Sequence, residues 1–283
     1  MATPEQKERL RSHLQQLVRE RDPYMATAGH FYVQQYIQAQ LSQWGTVEIH
    51  EFSQQQHTHA NLILNLPGKK PSSPPILIGA HYDAVPGTPG ADDNATGVAA
   101  LLELAQTFSS QPANYPLRLI AFDLEEYGMV GSAHYAELLH QQGQKLRLML
   151  SLEMLGYCTQ APNSQQYPIE AMKAMYPSTG NFIGLIGNLP TTPDLLHFNH
   201  HIFKAGVPSQ WLPAGMRGEM IRATRLSDHS PFWDRGYRAM MVTDTAFMRN
   251  PHYHQPSDRL ETLDLDFLAG ICQGLIQAIQ TLK

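Results

Sequence analysis

The stretch from Ile78 to Gly97, IGAHYDAVPGTPGADDNATG, holds one histidine and three aspartates and no lysine or arginine. An exposed loop needs no such bias, and a buried one tolerates it only with a cation among the acids. The same residue types return further along: Glu125 and Glu126 in FDLEE, Glu153 in LSLEM, His252 and His254 in HYH. Imidazole and carboxylate together suit a hard-to-borderline divalent ion, most simply zinc. Each fragment alone has an ordinary explanation. His-x-Asp is a weak motif, Glu125-Glu126 could be a solvated strand end, and Glu153 could pair with an arginine. Asp92-Asp93 could cap a helix starting near Asn94. Their shared setting is what points to a site.

That setting is a series of alternating elements. A helix is expected from Thr3-Pro4, with Gln6 completing a capping box, and another over residues 30–44, stopping at Gly45. Residues 46–52 and 60–66 read as strands, and PGKKPSSPP as a loop whose prolines forbid a central strand. ILIGAHY, LRLIAFDLEE, RLMLSLEML and YRAMMVTD then read as strands, interleaved with helices over 94–108, 129–143, 193–206 and 264–283. Near-continuous apolar strands alternating with helices predict an α/β fold: a predominantly parallel mixed central sheet with helices on both faces. No repeat or long linker divides the chain, so residues 1–283 read as one domain. In such sheets ligands gather beyond the carboxyl ends of the strands. His81, Asp83, Glu125, Glu126, Glu153 and His254 fall at or after those ends, and the loop with Asp92 and Asp93 follows the first of them.

Composition narrows the function classes. The 283 residues are 42% hydrophobic and 16% charged, below the usual charged share of about 25%. A net charge of −5 leaves no electrostatic footprint for nucleic acid. No apolar run approaches the ~20 residues that span a bilayer, so no membrane partner is expected. The start, MATPEQKERLRSHLQQLVRE, lacks the apolar core of a signal peptide. Cys158 and Cys272 do not make a disulfide framework. A cytoplasmic protein is expected, or a secreted one if a leader has been removed; the oligomeric state is not legible.

Taken in order, HYD, PGADDNATG, FDLEEYGMVGS, LEMLGY, SDHSPFW and YHQPSD closely resemble the co-catalytic di-zinc aminopeptidases, family twenty-eight of the metallopeptidases. The resemblance runs from about Asn61 to the C-terminus. It implies two Zn²⁺ per chain bridged by Asp93, with His81 and Glu153 completing one site and Glu126 and His254 the other. It also implies Glu125 as general base, Asp83 as the carboxylate that orients His81, and a cis Asp93–Asn94 peptide. The physics agrees: two such ions exceed the charge of three ligand carboxylates by one, which a bridging hydroxide neutralises, and they lower the pKa of water towards ~7. A ligand histidine usually donates its other N–H to a carboxylate. Adjacent residues at an extended strand end point to opposite sides, so one of Glu125 and Glu126 can bind metal while the other moves a proton. Choosing Glu126 and His254 over Glu125 and His252 as ligands rests on the family. Glu153 stands where the family more commonly has aspartate, lengthening the reach by about one C–C step.

The activity implied is removal of the first residue from a peptide with a free N-terminus. Rival readings are a carboxypeptidase, with Arg217, Arg222 or Arg225 holding a carboxylate; a glutaminyl cyclase; and an inactive binding relative. VPSQWLPAGMRGEMIRATRL, residues 207–226, reads as a lid or pocket wall. Pocket candidates are Trp211, Leu212, Met216, Phe232, Phe247 and Tyr253, and SDHSPFW brings Asp228 or His229 towards the site. His57 and His59 are expected at the surface, and His197, His200 and His201 on a helix with packing or surface roles. Asn94-Ala-Thr96 matches a glycosylation signal but is discounted because it lies inside the acidic loop.

Overall fold

The computed structural model describes residues 2–283. Its strands are β1 (Val47–Gln54), β2 (His57–Leu66), β3 (Ile76–His81), β4 (Leu117–Phe122), β5 (Leu148–Glu153), β6 (Ile183–Asn188), β7 (Ser209–Ala214) and β8 (Ala239–Thr243). They form one sheet in the order β1-β2-β4-β3-β5-β8-β6-β7. The four central strands β4, β3, β5 and β8 are parallel neighbours, while β2 runs antiparallel to β4 and β6 antiparallel to β8. The helices are α1 (Pro4–Leu17), α2 (Thr27–Leu41), α3 (Gly97–Ser110), α4 (Val130–Gln141), α5 (Glu170–Lys173), α6 (Thr192–Lys204), α7 (Ser230–Asp234) and α8 (Leu265–Thr281).

Strand alternation splits the central residues between two cores. Ile76, Ile78 and Ala80 of β3 and Leu148, Leu150 and Leu152 of β5 face the core that α1, α2, α3, α6 and α8 cover. Leu77, Ile120, Phe122, Met149 and Met241 face the smaller core under α4 and α7. With both faces covered, every position of these strands can be apolar. The α/β architecture expected from the sequence is the one observed.

Helix ends follow local chemistry. Thr3 Oγ1 accepts the Gln6 N–H at 3.2 Å ahead of Pro4, and Asp264 Oδ1 accepts from Asp266 and Phe267 at the start of α8. Two strands escape the sequence pattern: β6, IGLIGN, carries two glycines and β7, SQWLPA, carries a proline. Glycine and proline weaken the strand signal, but β7 is the edge strand, where a missing N–H costs no central hydrogen bond. The expected lid thus begins as a strand and continues in short 3₁₀ turns over Gly215–Gly218 and Arg222–Arg225. A second difference concerns Glu125 and Glu126. β4 ends at Phe122 and Leu124 takes φ +58°, so the two glutamates sit in a turn rather than on an extended strand end.

Candidate metal centre

The register of β3 and β5 brings the first pair of side chains together. Gly79 lies opposite Ser151. Two residues further along each strand the side chains return to the same face, and these are His81 and Glu153. His81 Nε2 lies 3.6 Å from Glu153 Oε1. Asp93 arrives from the loop between β3 and α3, with Oδ1 3.3 Å from His81 Nε2 and Oδ2 3.1 Å from His254 Nε2. Glu126 Oε2 is 3.3 Å from the same His254 nitrogen. Two three-residue sets result, His81–Asp93–Glu153 and Asp93–Glu126–His254, the ligand atoms of each lying within 4.8 Å of one another. Glu125 belongs to neither; its Oε2 stands 3.9 Å from His81 Nε2.

The buried Nε2 atoms of His81 and His254 and Oε1 of Glu126 have no hydrogen-bond partner. Such groups in a protein interior call for an explanation. Two imidazole nitrogens, each facing carboxylate oxygens, fit divalent cations by donor type and by number. Histidine Nε2 and carboxylate oxygen are the donors zinc takes.

The surrounding bonds hold these donors in place. His81 Nδ1 meets the Asp83 carbonyl at 3.3 Å and its Oδ1 at 3.4 Å, leaving Nε2 turned towards Asp93. The Asp83 carboxylate also accepts the backbone N–H groups of Glu125 and Glu126, each at 3.1 Å. One aspartate therefore orients the histidine and fixes the glutamate turn. Ser227 Oγ donates to Glu153 Oε2 at 2.7 Å. The Asp258 carboxylate accepts from Asp92 and Asp93 N–H. Asp92 turns away from both sets, taking the Gly156 N–H at 2.8 Å and the Asn250 amide at 2.8 Å. The Asp93–Asn94 peptide is cis, as the resemblance implies. Asn94 is fully buried, its side chain bonded to Leu152 O, Gly97 N and Met154 N, so it offers no glycosylation site.

Carboxylates outnumber imidazoles in this cluster. Burial opposes a positive His81, yet Glu153 and Glu125 outweigh it and push its pKa well above 6.5. Against the same burial, Asp93 and Glu126 carry His254 up to about 10. Burial drives Glu126 up to about 7, aided by Asp93, and drives Glu125 well above 4.5, with Glu153, Glu126 and Asp228 adding repulsion. Asp93 goes the other way: burial would raise it, but the His254 and His81 imidazoles close to its two oxygens outweigh burial and hold it below 3.8. The carboxylates demand positive charge at two points, and those points are the two Nε2 atoms.

The remaining candidates divide. Phe247 and Tyr253 line a cavity of about 230 Å³ whose wall Glu125, Glu126, Glu153 and His254 share with Ile186, Met241 and Met248. Trp211 and Leu212 line a separate neighbouring apolar cavity of about 50 Å³. Met216 is solvent-exposed, and Phe232 is buried in the core under α4 and α7. Asp228 is fully buried near His81 and Glu153, both oxygens unpartnered, while His229 turns to the Thr224 carbonyl at 2.8 Å. His252 bonds Ser257 instead of joining the cluster. Arg225 pairs with Asp234 and Arg217 bonds its carbonyl; among the described residues no lysine or arginine lines the cavity. His57 is exposed as expected, but His59 is not. It is buried with Nδ1 3.3 Å from Asp123 Oδ2, because that strand faces the end of β4. His197 and His201 bond Ala278 O and Thr281 on α8, a packing role.

Sequence reasoning missed Ser227, which was within reach as the residue beside Asp228 in SDHSPFW.

Comparison with known proteins follows the same lines. Residues 61–279 match the model of peptidase family M28. YfbL of Escherichia coli K12 is 36% identical over 222 residues, 74% of this chain and 68% of YfbL. Aminopeptidase YwaD of Bacillus subtilis is 37% identical over 113 residues, 39% of this chain and 24% of YwaD. The structure of BSAP, a zinc aminopeptidase from Bacillus subtilis, superposes with a TM-score of 0.59 at 26% identity, covering 81% of this chain and 52% of that one. The chain therefore spans about two thirds of YfbL, about half of BSAP and about a quarter of YwaD. It belongs to peptidase family M28, and is a peptidase and a hydrolase.

Proposed function

We propose that the protein is an aminopeptidase that holds two zinc ions at His81–Asp93–Glu153 and Asp93–Glu126–His254 and removes the first residue of peptides. The observation that carries the reading is the pair of unpartnered imidazole nitrogens sharing one aspartate, Oδ1 towards His81 and Oδ2 towards His254. Ions bound there would polarise a scissile carbonyl and lower the pKa of an attacking water.

The chain's own residues supply the rest. Glu125, outside both ligand sets but facing the same space, accepts the proton of the attacking water and returns it to the leaving amine. Glu153 and Glu125 offer negative charge to the substrate's α-ammonium. The apolar residues of the cavity wall, Ile186, Met241, Phe247 and Met248, fit an apolar first side chain. Without a lysine or arginine in its wall, the cavity lacks a fixed cation of the chain's own, outside the histidine assigned to the metal, for a C-terminal carboxylate, which disfavours the carboxypeptidase reading. A complete set of five ligand side chains disfavours the inactive relative and a single-ion cyclase.

Leu-Gly-Gly, its N-acetyl form and its C-terminal amide, assayed side by side with zinc-loaded protein, test the reading. Leucine release is expected from the free and amidated peptides. The acetylated peptide loses a charge-assisted hydrogen bond, about 1–3 kcal/mol, and should react about 5- to 150-fold more slowly. Efficient cleavage of the acetylated peptide would end the aminopeptidase reading.

A further inference from the structure

The matched family segment begins at residue 61, yet a residue well before it reaches the metal loop. Arg21 is 1% exposed. Its Nε–H donates to Tyr82 O at 2.9 Å. Nη1 donates to Pro89 O at 2.6 Å, with the Leu17 and Arg19 carbonyls at 3.4 and 3.3 Å. Nη2 donates to Gly90 O at 2.8 Å and Asp93 O at 3.1 Å. All of its partners are backbone carbonyls. Tyr82 lies between His81 and Asp83, and Asp93 is the aspartate shared by both ligand sets, so one guanidinium grips the backbone at both. A planar fork of five donors is what such a cluster of acceptors requires.

The loop is shaped around this group. Gly90 takes φ +58°, and a Cβ there would lie 2.8 Å from both terminal guanidinium nitrogens and 2.3 Å from the Asp93 carbonyl. The residues beside Arg21 hold the other side of the site. Asp22 Oδ2 accepts the Tyr127 hydroxyl at 2.7 Å, next to the Glu125–Glu126 turn. His30 Nε2 donates to Asp123 Oδ1 at 2.8 Å, at the end of β4. A short N-terminal segment thus touches both loops that carry Asp83, Asp93, Glu125 and Glu126.

We infer that residues 20–30 are a working part of the metal centre, with Arg21 as a positioning residue that holds the 89–93 loop so that Asp93 presents one oxygen to each ligand set. The inference rests on the metal reading given above. It differs from simple anchoring of an N-terminal helix because the acceptors are carbonyls of the ligand loop itself.

Two readouts test it on the full chain: zinc affinity by competition with a chelating dye, well below the unfolding temperature, and hydrogen exchange of the 90–95 amides in metal-free protein. R21K keeps the charge but replaces the fork with a compact ammonium. It should bind zinc at least about tenfold more weakly, the scale found for residues that orient ligands, and its 90–95 amides should exchange faster. R21A should behave likewise and regain affinity in sub-denaturing guanidinium, but not in tetramethylammonium at the same concentration. If R21A fails to fold, R21K decides. Folded R21K with wild-type zinc affinity and wild-type exchange would overturn the inference, as would an R21A defect indifferent to guanidinium. A wild-type protein that takes up no zinc would instead sink the metal reading, and exchange in R21K would still judge Arg21.

Discussion

Asp83→Asn changes one atom in a residue that serves two purposes. Its carboxylate accepts two backbone N–H groups, from Glu125 and Glu126 at 3.1 Å each, and lies 3.4 Å from His81 Nδ1. An amide presents one oxygen and one NH₂, so at least one of the buried N–H donors must face another donor. A buried donor left without its acceptor costs about 1–3 kcal/mol. Taking about 2 kcal/mol, the melting temperature of a chain of 283 residues should fall by roughly 3–4 °C. Zinc affinity should fall about 10- to 100-fold, because His81 loses the group that orients it. Urea unfolding of metal-free protein separates the first effect from the second, which a zinc titration reads. An Asp83→Asn variant with unchanged stability and unchanged zinc affinity would refute both assignments. A loss of stability with zinc affinity intact would leave Asp83 as a turn clamp only.

Glu125→Gln keeps size and hydrogen bonding but cannot take a proton, so kcat should drop by about 10²–10⁴ with zinc content unchanged; near-normal turnover would remove Glu125 from the mechanism. Ser227→Ala removes the 2.7 Å donor to Glu153 and the 2.7 Å partner of Ser151, so zinc binding should weaken and metal-free stability should fall by about 1–3 kcal/mol; a variant unchanged in both would contradict this. The Asp123 cluster makes a pH signature. Bonds to His30 and His59 overcome burial and hold Asp123 down to about 2 from 3.8, whereas Asp123 raises His30 above 6.5 against the pull of burial. The aspartate's contribution, about 2 kcal/mol, is present above pH 3.8 and lost as pH falls towards 2. The histidine's is present below pH 6.5 and lost as pH rises through its folded value. The stability gap between wild type and Asp123→Asn should therefore be widest between about pH 4 and 6.5 and narrow above it; urea midpoints that keep a constant gap up to pH 9 would contradict this.

The central strands were legible because near-continuous apolar runs alternate with helices. Of the candidate ligands only His81 and Glu153 end strands, where period-two alternation carries both to the same face once β3 and β5 pair; Asp93, Glu126 and His254 lie in the loops beyond and were named from the family resemblance. What was illegible depends on the third dimension. Arg21 meets carbonyls 61 to 72 residues away, and a carbonyl leaves no trace in residue type. His59 looked like a surface residue until the β2–β4 pairing placed Asp123 against it. The Glu125–Glu126 turn defeated the extended-strand assumption because Leu124 adopts a left-handed backbone, which an ordinary apolar residue does not announce. β6 and β7 were hidden by glycine and proline in strands that the sheet stabilises from outside.

The central claim is that Asp93 is shared between two ions. Anomalous scattering at the zinc edge, from crystals of the wild-type protein grown with zinc, tests it directly. Two peaks about 3.5–4 Å apart are expected, one beside His81 and Glu153, the other beside Glu126 and His254, with the Asp93 carboxylate between them. A single peak at saturating zinc, or two peaks of which neither touches Asp93, would contradict the account.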